Sequence, residues 1–114
     1  SKGELNVSLE GKLSELKEKI NNEPEHFDGM TSTFVFNITD LEETWSVDFK
    51  GDHVELFNEQ LDSPTCSMKM DAKNFEKLLD GNLNATTAFM MGKIKADGDL
   101  TKALKLQKIL TYYQ

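Results

Sequence analysis

Apolar residues follow two periodicities along this chain, and the change from one to the other marks its elements. Leu9, Leu13, Leu16 and Ile20 recur at spacings of four, three and four with Glu and Lys between them, the pattern of an amphipathic helix. That helix ends near Asn21-Asn22-Glu23-Pro24, because a residue before proline is pushed out of the helical region. Beyond Asp28-Gly29 the period becomes two. Phe34, Phe36 and Ile38 alternate with Val35 and Asn37; Trp45, Val47 and Phe49 alternate with Ser46 and Asp48; Val54 and Leu56 alternate with His53, Glu55 and Phe57. The links Asp40-Leu41-Glu42-Glu43 and Gly51-Asp52 are short, so these strands should pair as an antiparallel meander. Cys66, Met68 and Met70 resume the alternation after Asp62-Ser63-Pro64 and predict a fourth strand.

The second half turns helical. Asp71 reads as an N-cap, Phe75, Leu78 and Leu79 as an apolar face, and Gly81 as a C-terminal glycine. A short helix is predicted from Asn84 through Ala85, Ala88, Phe89 and Met90 to a stop at Gly92. Lys93 to Ala96 is predicted as a fifth strand with Ile94 and Ala96 inward, and Asp99 as the cap of a last helix from Leu100 onward. The order is α-β-β-β-β-α-α-β-α, with helices segregated from a mostly antiparallel sheet, which is the α+β class. No linker, internal repeat or low-complexity run interrupts it, so residues 1–114 read as a single domain.

Composition narrows the function. With 20 acidic residues against 13 Lys and no Arg, the formal charge is −7, and binding nucleic acid would work against the protein's own field. The single cysteine, Cys66, has no internal partner, and no apolar run approaches the ~18 residues of a membrane span. A reducing compartment, the cytoplasm, is the expectation. On that reading the sequons at Asn6, Asn37 and Asn84 carry no glycans.

Motifs of catalysis are missing. His26, His53 and Cys66 are far apart in sequence, which argues against a zinc site. Cys66 shares a strand face with Met68 and Met70 and reads as a buried, inert thiol. Asp97-Gly98-Asp99 lacks the spaced carboxylates of a calcium loop and reads as a turn plus a cap. "GKIKADG" has no Lys-Ser/Thr after its second glycine and is not a phosphate-binding loop. Glu42-Glu43 falls in a hairpin turn. The expectation is a protein without enzymatic activity, cofactor or metal.

Two features point to binding. Met30, Met68, Met70, Met90 and Met91 supply unbranched thioethers, which fill irregular space and adapt to ligands of varied shape. On a helical wheel begun at Leu100, Gln107 falls in the same arc as Ala103, Leu104 and Leu110, while Lys105 and Lys108 fall opposite. A buried amide without partners costs about 1–3 kcal/mol, so either a protein group or the occupant of a cavity must satisfy Gln107.

The run "TAFMMGKIKADGDLTKALKL" resembles the signature of the sterol carrier protein type 2 family, the nonspecific lipid-transfer domain. In it Phe89 and Gly92 close a helix, Lys93-Ile94-Lys95 forms a strand, Gly98-Asp99 a turn, and Ala103 and Lys105-Leu106 belong to the last helix. "TWSVDFKGDHVEL" is similar to that family's Trp-bearing strand pair, and "MKMDAKNFEKLLDGNLNATTAFMMG" to its strand, Asp-capped helix and following junction. The resemblance implies a five-stranded sheet covered on one face by helices, with a hydrophobic tunnel between the layers for fatty acids, acyl-CoA or sterols. The tunnel-lining candidates it implies are Phe36, Trp45, Val47, Met68, Met70, Phe75, Leu79, Phe89, Met90, Ile94, Leu106 and Leu110. Gln107 is added to them by its place on the apolar arc, from which it is expected to reach the lipid's polar end. The chain closes on Tyr112-Tyr113-Gln114 and not on the Ser-Lys-Leu address of peroxisomal members, and none of the family's fusion partners is present, which suggests a free-standing domain of bacterial type or an excised one.

The leading expectation is therefore a soluble carrier that binds a lipid without covalent chemistry. The alternatives are an accessory protein presenting a lipid-like intermediate, such as a quinone precursor, to partner enzymes, or a solid-core interaction module. Residues 93–114 hold 5 Lys against 2 Asp while the rest of the chain is acidic. Lys102, Lys105 and Lys108 are accordingly expected to meet anionic membranes during transfer.

Overall fold

A computed structural model describes residues 2–114, with side chains from Leu9 onward; Ser1 and the Asn6 side chain lie outside the described part. Helix α1 (Lys2–Asn22) and a 3-10 turn (Pro24–Phe27) precede four strands, β1 (Thr31–Ile38), β2 (Glu43–Lys50), β3 (Val54–Phe57) and β4 (Cys66–Met70). Then come α2 (Ala72–Leu79), α3 (Ala85–Met90), β5 (Lys95–Gly98), α4 (Leu100–Leu110) and a final 3-10 turn (Thr111–Tyr113). The element order and the α+β class are those predicted from periodicity.

The strands form one sheet in the order β3-β2-β1-β4-β5. All neighbours are antiparallel except β1 and β4, which run parallel with Phe34 opposite Cys66 and Phe36 opposite Met68. Strands β3 and β4 point the same way with two strands between them, so residues 58–65 must cross the sheet to join them. They cross on the face away from the helices. The Ser46 hydroxyl donates to the Glu59 carbonyl (2.6 Å) and accepts from the Leu61 N–H (3.3 Å), and both Ser46 and its register partner Val35 are buried on that outer face.

The helices cover the other face, where one contiguous core joins Leu9, Leu13 and Ile20 of α1 to Phe34, Phe36, Phe49 and Val54 of the sheet and to Phe75, Leu79, Leu106 and Leu110. Strand β3 would be left with a bare edge, and α1 supplies the remedy. Asn21 Oδ1 accepts from the Val54 N–H (2.7 Å) and Asn21 Nδ2 donates to the Val54 carbonyl (3.1 Å), pairing backbone groups that would otherwise recruit another strand. Asp71 and Asp99 cap α2 and α4 as their positions predicted, accepting from the N–H groups of Asn74 and Thr101.

One boundary differs. Strand β5 spans Lys95–Gly98 and not Lys93–Ala96, because the N–H groups of Lys93 and Ile94 are spent on the Ala88 carbonyl at the end of α3 and are not available to the sheet. Pairing then runs on to Gly98, which has φ of 103° and no room for a side chain: a Cβ there would sit 2.5 Å from the Thr65 carbonyl oxygen. Gly98→Ala combines a strained backbone with a clash against main chain, and should cost about 1–3 kcal/mol of unfolding free energy in a denaturant titration. A change within ~0.5 kcal/mol would show that the β4–β5 approach is looser than described.

Candidate functional site

Register places Phe34, Phe36, Ile38, Val47, Phe49, Cys66, Met68 and Met70 on the helix-facing side of the sheet. Strand β5 contributes only Ala96 and Gly98 to that side, opposite Met68 and Cys66. Side chains this small leave space under α3 and α4, and an apolar groove of about 160 Å³ lies there. Met68, Ile94 and Ala96 form its floor; Ala85, Thr86 and Phe89 of α3 and Leu100, Ala103 and Leu104 of α4 form its walls. The groove opens to solvent, since Phe89 is 46% and Leu104 49% exposed, and the neighbouring Met90 and Met91 are exposed as well.

A second apolar cavity, of about 30 Å³, lies between α1 and the sheet and is partly open to solvent past Lys17 and Glu55. Leu13, Leu16 and Ile20 of α1 cover it, Phe36, Val47, Phe49, Val54 and Leu56 line it from the sheet, and Leu79, Leu106 and Leu110 close the remaining side. Phe36 borders this cavity and its register partner Met68 borders the groove, so one cross-strand pair and helix α4 separate the two spaces. The structure thus holds two separate apolar spaces between the layers and not the one tunnel that the family resemblance implies.

The residues singled out from sequence distribute accordingly. The inner cavity brings together Phe36, Val47, Leu79, Leu106 and Leu110, and the groove brings together Met68, Phe89 and Ile94. Trp45, Met70 and Phe75 are buried but border neither apolar space. Trp45 Nε1 donates to Glu43 Oε1 (3.0 Å), and Phe75 packs on Phe36 at a centroid distance of 4.9 Å. Met90 is 80% exposed and lies outside both, because α3 buries Ala88, and a residue two positions on points about 200° away around a helix. Sequence reading passed over Leu13, Leu16, Leu100 and Leu104 as lining residues, although the i, i+4 spacing of Leu100 and Leu104 marks an apolar edge of α4.

Gln107 has a partner within the protein. Its Oε1 accepts from the Ala85 N–H (2.9 Å), a first-turn donor of α3 with no intrahelical acceptor, while Asn84 Oδ1 takes the Thr87 N–H (3.0 Å). Helix α4 buries Leu106, Ile109 and Leu110, so its core-facing arc is rotated from the predicted one: Leu104 leaves it and Gln107 lies at its border. The glutamine ties α4 to α3 across the groove.

Cys66 is fully buried, and burial, with the Asp99 and Asp97 carboxylates nearby, pushes its thiol above the usual range, away from nucleophilic use. A cluster that sequence separation of His and Cys did not reveal is Glu23, Glu25 and His26, whose ligand-type atoms lie within 4.8 Å of one another on the surface. His26 stacks flat on Tyr112 at 4.9 Å, which accounts for its position there by packing.

A sheet with helices on one face and two apolar spaces between the layers is the architecture, and sequence comparison gives it a family. The chain belongs to the SCP-2 sterol transfer family, whose model matches residues 12–111. Sterol carrier protein 2 of Bos taurus is 30% identical over 102 residues, covering 85% of this chain and 19% of that protein. The chain thus spans under a fifth of the curated relatives it matches first. Among solved structures, palmitated SCP2L2 from Aedes aegypti is 23% identical with a TM-score of 0.68 over 90% of this chain and 94% of that one. The UbiJ-SCP2 ubiquinone synthesis protein is 12% identical with a TM-score of 0.71 over 86% and 91%. Both likenesses are of fold.

Gln107→Leu should leave the Ala85 N–H without its acceptor at a part-buried site and cost about 1–2 kcal/mol in equilibrium unfolding, with faster amide exchange at Ala85. Gln107→Glu keeps the acceptor and should retain most of that stability. Unchanged exchange at Ala85 in the Leu variant would remove the proposed tie between α3 and α4.

Proposed function

We propose that this protein is a carrier that binds a lipid non-covalently, with fatty acid, acyl-CoA and sterol-like cargo as candidates, between its sheet and its helices. The observation that carries this reading is the open apolar groove beneath α3 and α4, parted from a second apolar cavity only by the Phe36–Met68 pair and helix α4. Exposed hydrocarbon gains about 25 cal/mol for each Å² removed from water, so an acyl chain or flat ring system laid along Phe89, Leu100 and Leu104 is favoured by the groove's own surface.

The cavities, at about 160 and 30 Å³, are smaller than the roughly 300–1,000 Å³ of most small-molecule sites. Cargo must therefore widen them. Helix α3 is six residues long and held by few contacts, and Met68, an unbranched side chain on the dividing wall, can change rotamer without straining its strand. Parting α3 and α4 from the sheet while Met68 turns aside merges the groove with the inner cavity. The lining residues of that path are Met68, Phe89 and Ile94 at the mouth and Phe36, Val47, Leu79, Leu106 and Leu110 within, with Trp45, Met70 and Phe75 as the packing behind them. Gln107 of α4, whose Oε1 holds the start of α3, would meet a polar end of the cargo with its Nε2 group. The named sterol carrier relative and the palmitated neighbour support lipid as the ligand class.

A second reading has its own support in the likeness to a ubiquinone synthesis protein: presentation of a quinone-type intermediate to partner enzymes. Either reading would bring the molecule to membranes, where Lys108 stands next to the exposed Leu104 on α4 and Lys105 and Lys102 continue round the helix from it. Surface lysines contribute about 1 kcal/mol each near anionic lipid.

Native mass spectrometry of the purified protein should show a co-purified lipid or uptake of added fatty acid, and the mass of a natural ligand separates the two readings. Ala103→Trp, which fills the groove from α4, should weaken fatty-acid binding by about tenfold or more with little change in melting temperature. Wild-type protein that refuses fatty acid, sterol and quinone probes alike would overturn the carrier reading. Transfer of a fluorescent fatty acid should be faster to anionic than to neutral vesicles and slow as salt rises, since screening acts over about 10 Å at 0.1 M. Rates blind to both would remove the lysines from delivery.

A further inference from the structure

We propose that a lysine-walled cleft at the end of the sheet, separate from the apolar groove, binds a multiply charged phosphate group. The cleft encloses about 500 Å³ between α2, the end of β4 and the segment that leads into β5. Lys69, Lys73, Lys77, Lys93 and Lys95 line it against one carboxylate, Asp71. Five of the chain's 13 cationic side chains thus share one concavity in a protein whose net charge is −7.

The fold itself does not account for that concentration. Among the described residues none of the five lysines forms an ion pair. Asp71 is committed to its own helix, accepting from the Asn74 N–H (2.8 Å), and nearby Asp40 accepts from the Ala72 N–H (2.9 Å). Lys69 and Lys95 stand directly opposite each other across the β4–β5 ladder, and like charges in that relation repel. Lys73 and Lys77 repeat the arrangement at i, i+4 on α2. Two like-charge pairs therefore line one cleft, and Lys69 and Lys95 also border a neighbouring depression that holds Asp97. A polyanion seated among them turns both repulsions into attraction. Lysine suits phosphate as a mobile point charge, Thr39 and Asn74 add neutral donor groups to the wall, and the volume matches a small-ligand site.

The alternation of residues 93–96 explains why this site adjoins the apolar groove yet is distinct from it: Lys93 and Lys95 turn to the cleft, Ile94 and Ala96 to the groove. The phosphate site does not depend on the carrier reading. It is tested by isothermal titration of inorganic pyrophosphate at low ionic strength into three proteins. These are the wild type, the Lys69→Gln/Lys95→Gln variant, and a charge-matched control, Lys19→Gln/Lys50→Gln, in which exposed lysines on α1 and β2 are replaced. The wild type and control should bind alike, and the cleft variant should lose about tenfold or more in affinity. Without ligand the cleft variant should melt no lower than the wild type, since it loses a repulsion and not a contact. Phosphatidylcholine vesicles with and without phosphatidic acid distinguish the source of the phosphate. Binding of free pyrophosphate alone assigns a soluble ligand, and vesicle binding that also requires Lys69 and Lys95 assigns a phosphorylated headgroup. No binding of either at millimolar phosphate, or equal losses in the cleft variant and the control, would overturn the proposal.

Discussion

The structure depends on one apolar sheet face that is wider than the helices above it can seal. Strand β1, at the centre, is the best covered along its middle: Phe34, Phe36 and Ile38 are buried under helices, and Val35 on the reverse side lies beneath the crossing segment 58–65. Toward β5 the cover thins, because Ala96 and Gly98 replace large side chains on that face and α3 is only six residues long. Close packing normally fills such space, since voids forfeit dispersion contacts on their lining. Here the space persists as a groove, and its wall is held by two polar ties, the Asn84 cap and the Gln107–Ala85 hydrogen bond. A core that is tight on one side and loose on the other is what a reversible carrier requires.

Parallel pairing of β1 with β4 is what makes that asymmetry possible. It forces the chain over the outer face between β3 and β4, which occupies that face and leaves every helix on the inner one. It also sets Met68 beside Phe36, so that the residue between the two cavities is one of the most adaptable in the chain. The groove is in this sense a consequence of topology, with the small residues of β5 deciding where the cover gives way.

Much of the fold is legible in the sequence because burial is one-sided. Period-two runs such as Phe34-Val35-Phe36 and caps such as Asp71 and Asp99 encode local structure directly, and each appears where the pattern put it. The candidate site is legible only in part. Leu79, Leu106 and Leu110 look the same in sequence whether they face a cavity or a solid core, and only the third dimension assigns them to the inner space. Met90 looked inward because methionine is usually buried; a six-residue helix that buries Ala88 turns it out to water. Gln107 was conspicuous for a sound reason, a polar group near an apolar arc, but its acceptor role belongs to a helix start 22 residues away that periodicity does not reveal.

The central claim is that cargo occupies the groove and the inner cavity as one continuous site. The most direct test is a ¹³C-edited NOE experiment on the protein loaded with uniformly ¹³C-labelled palmitate. One continuous site gives contacts from the labelled chain both to Phe89 or Ile94 in the groove and to Phe36, Leu106 or Leu110 in the inner cavity. Contacts confined to the exposed rim at Met90 and Met91, with the inner residues silent, would contradict it.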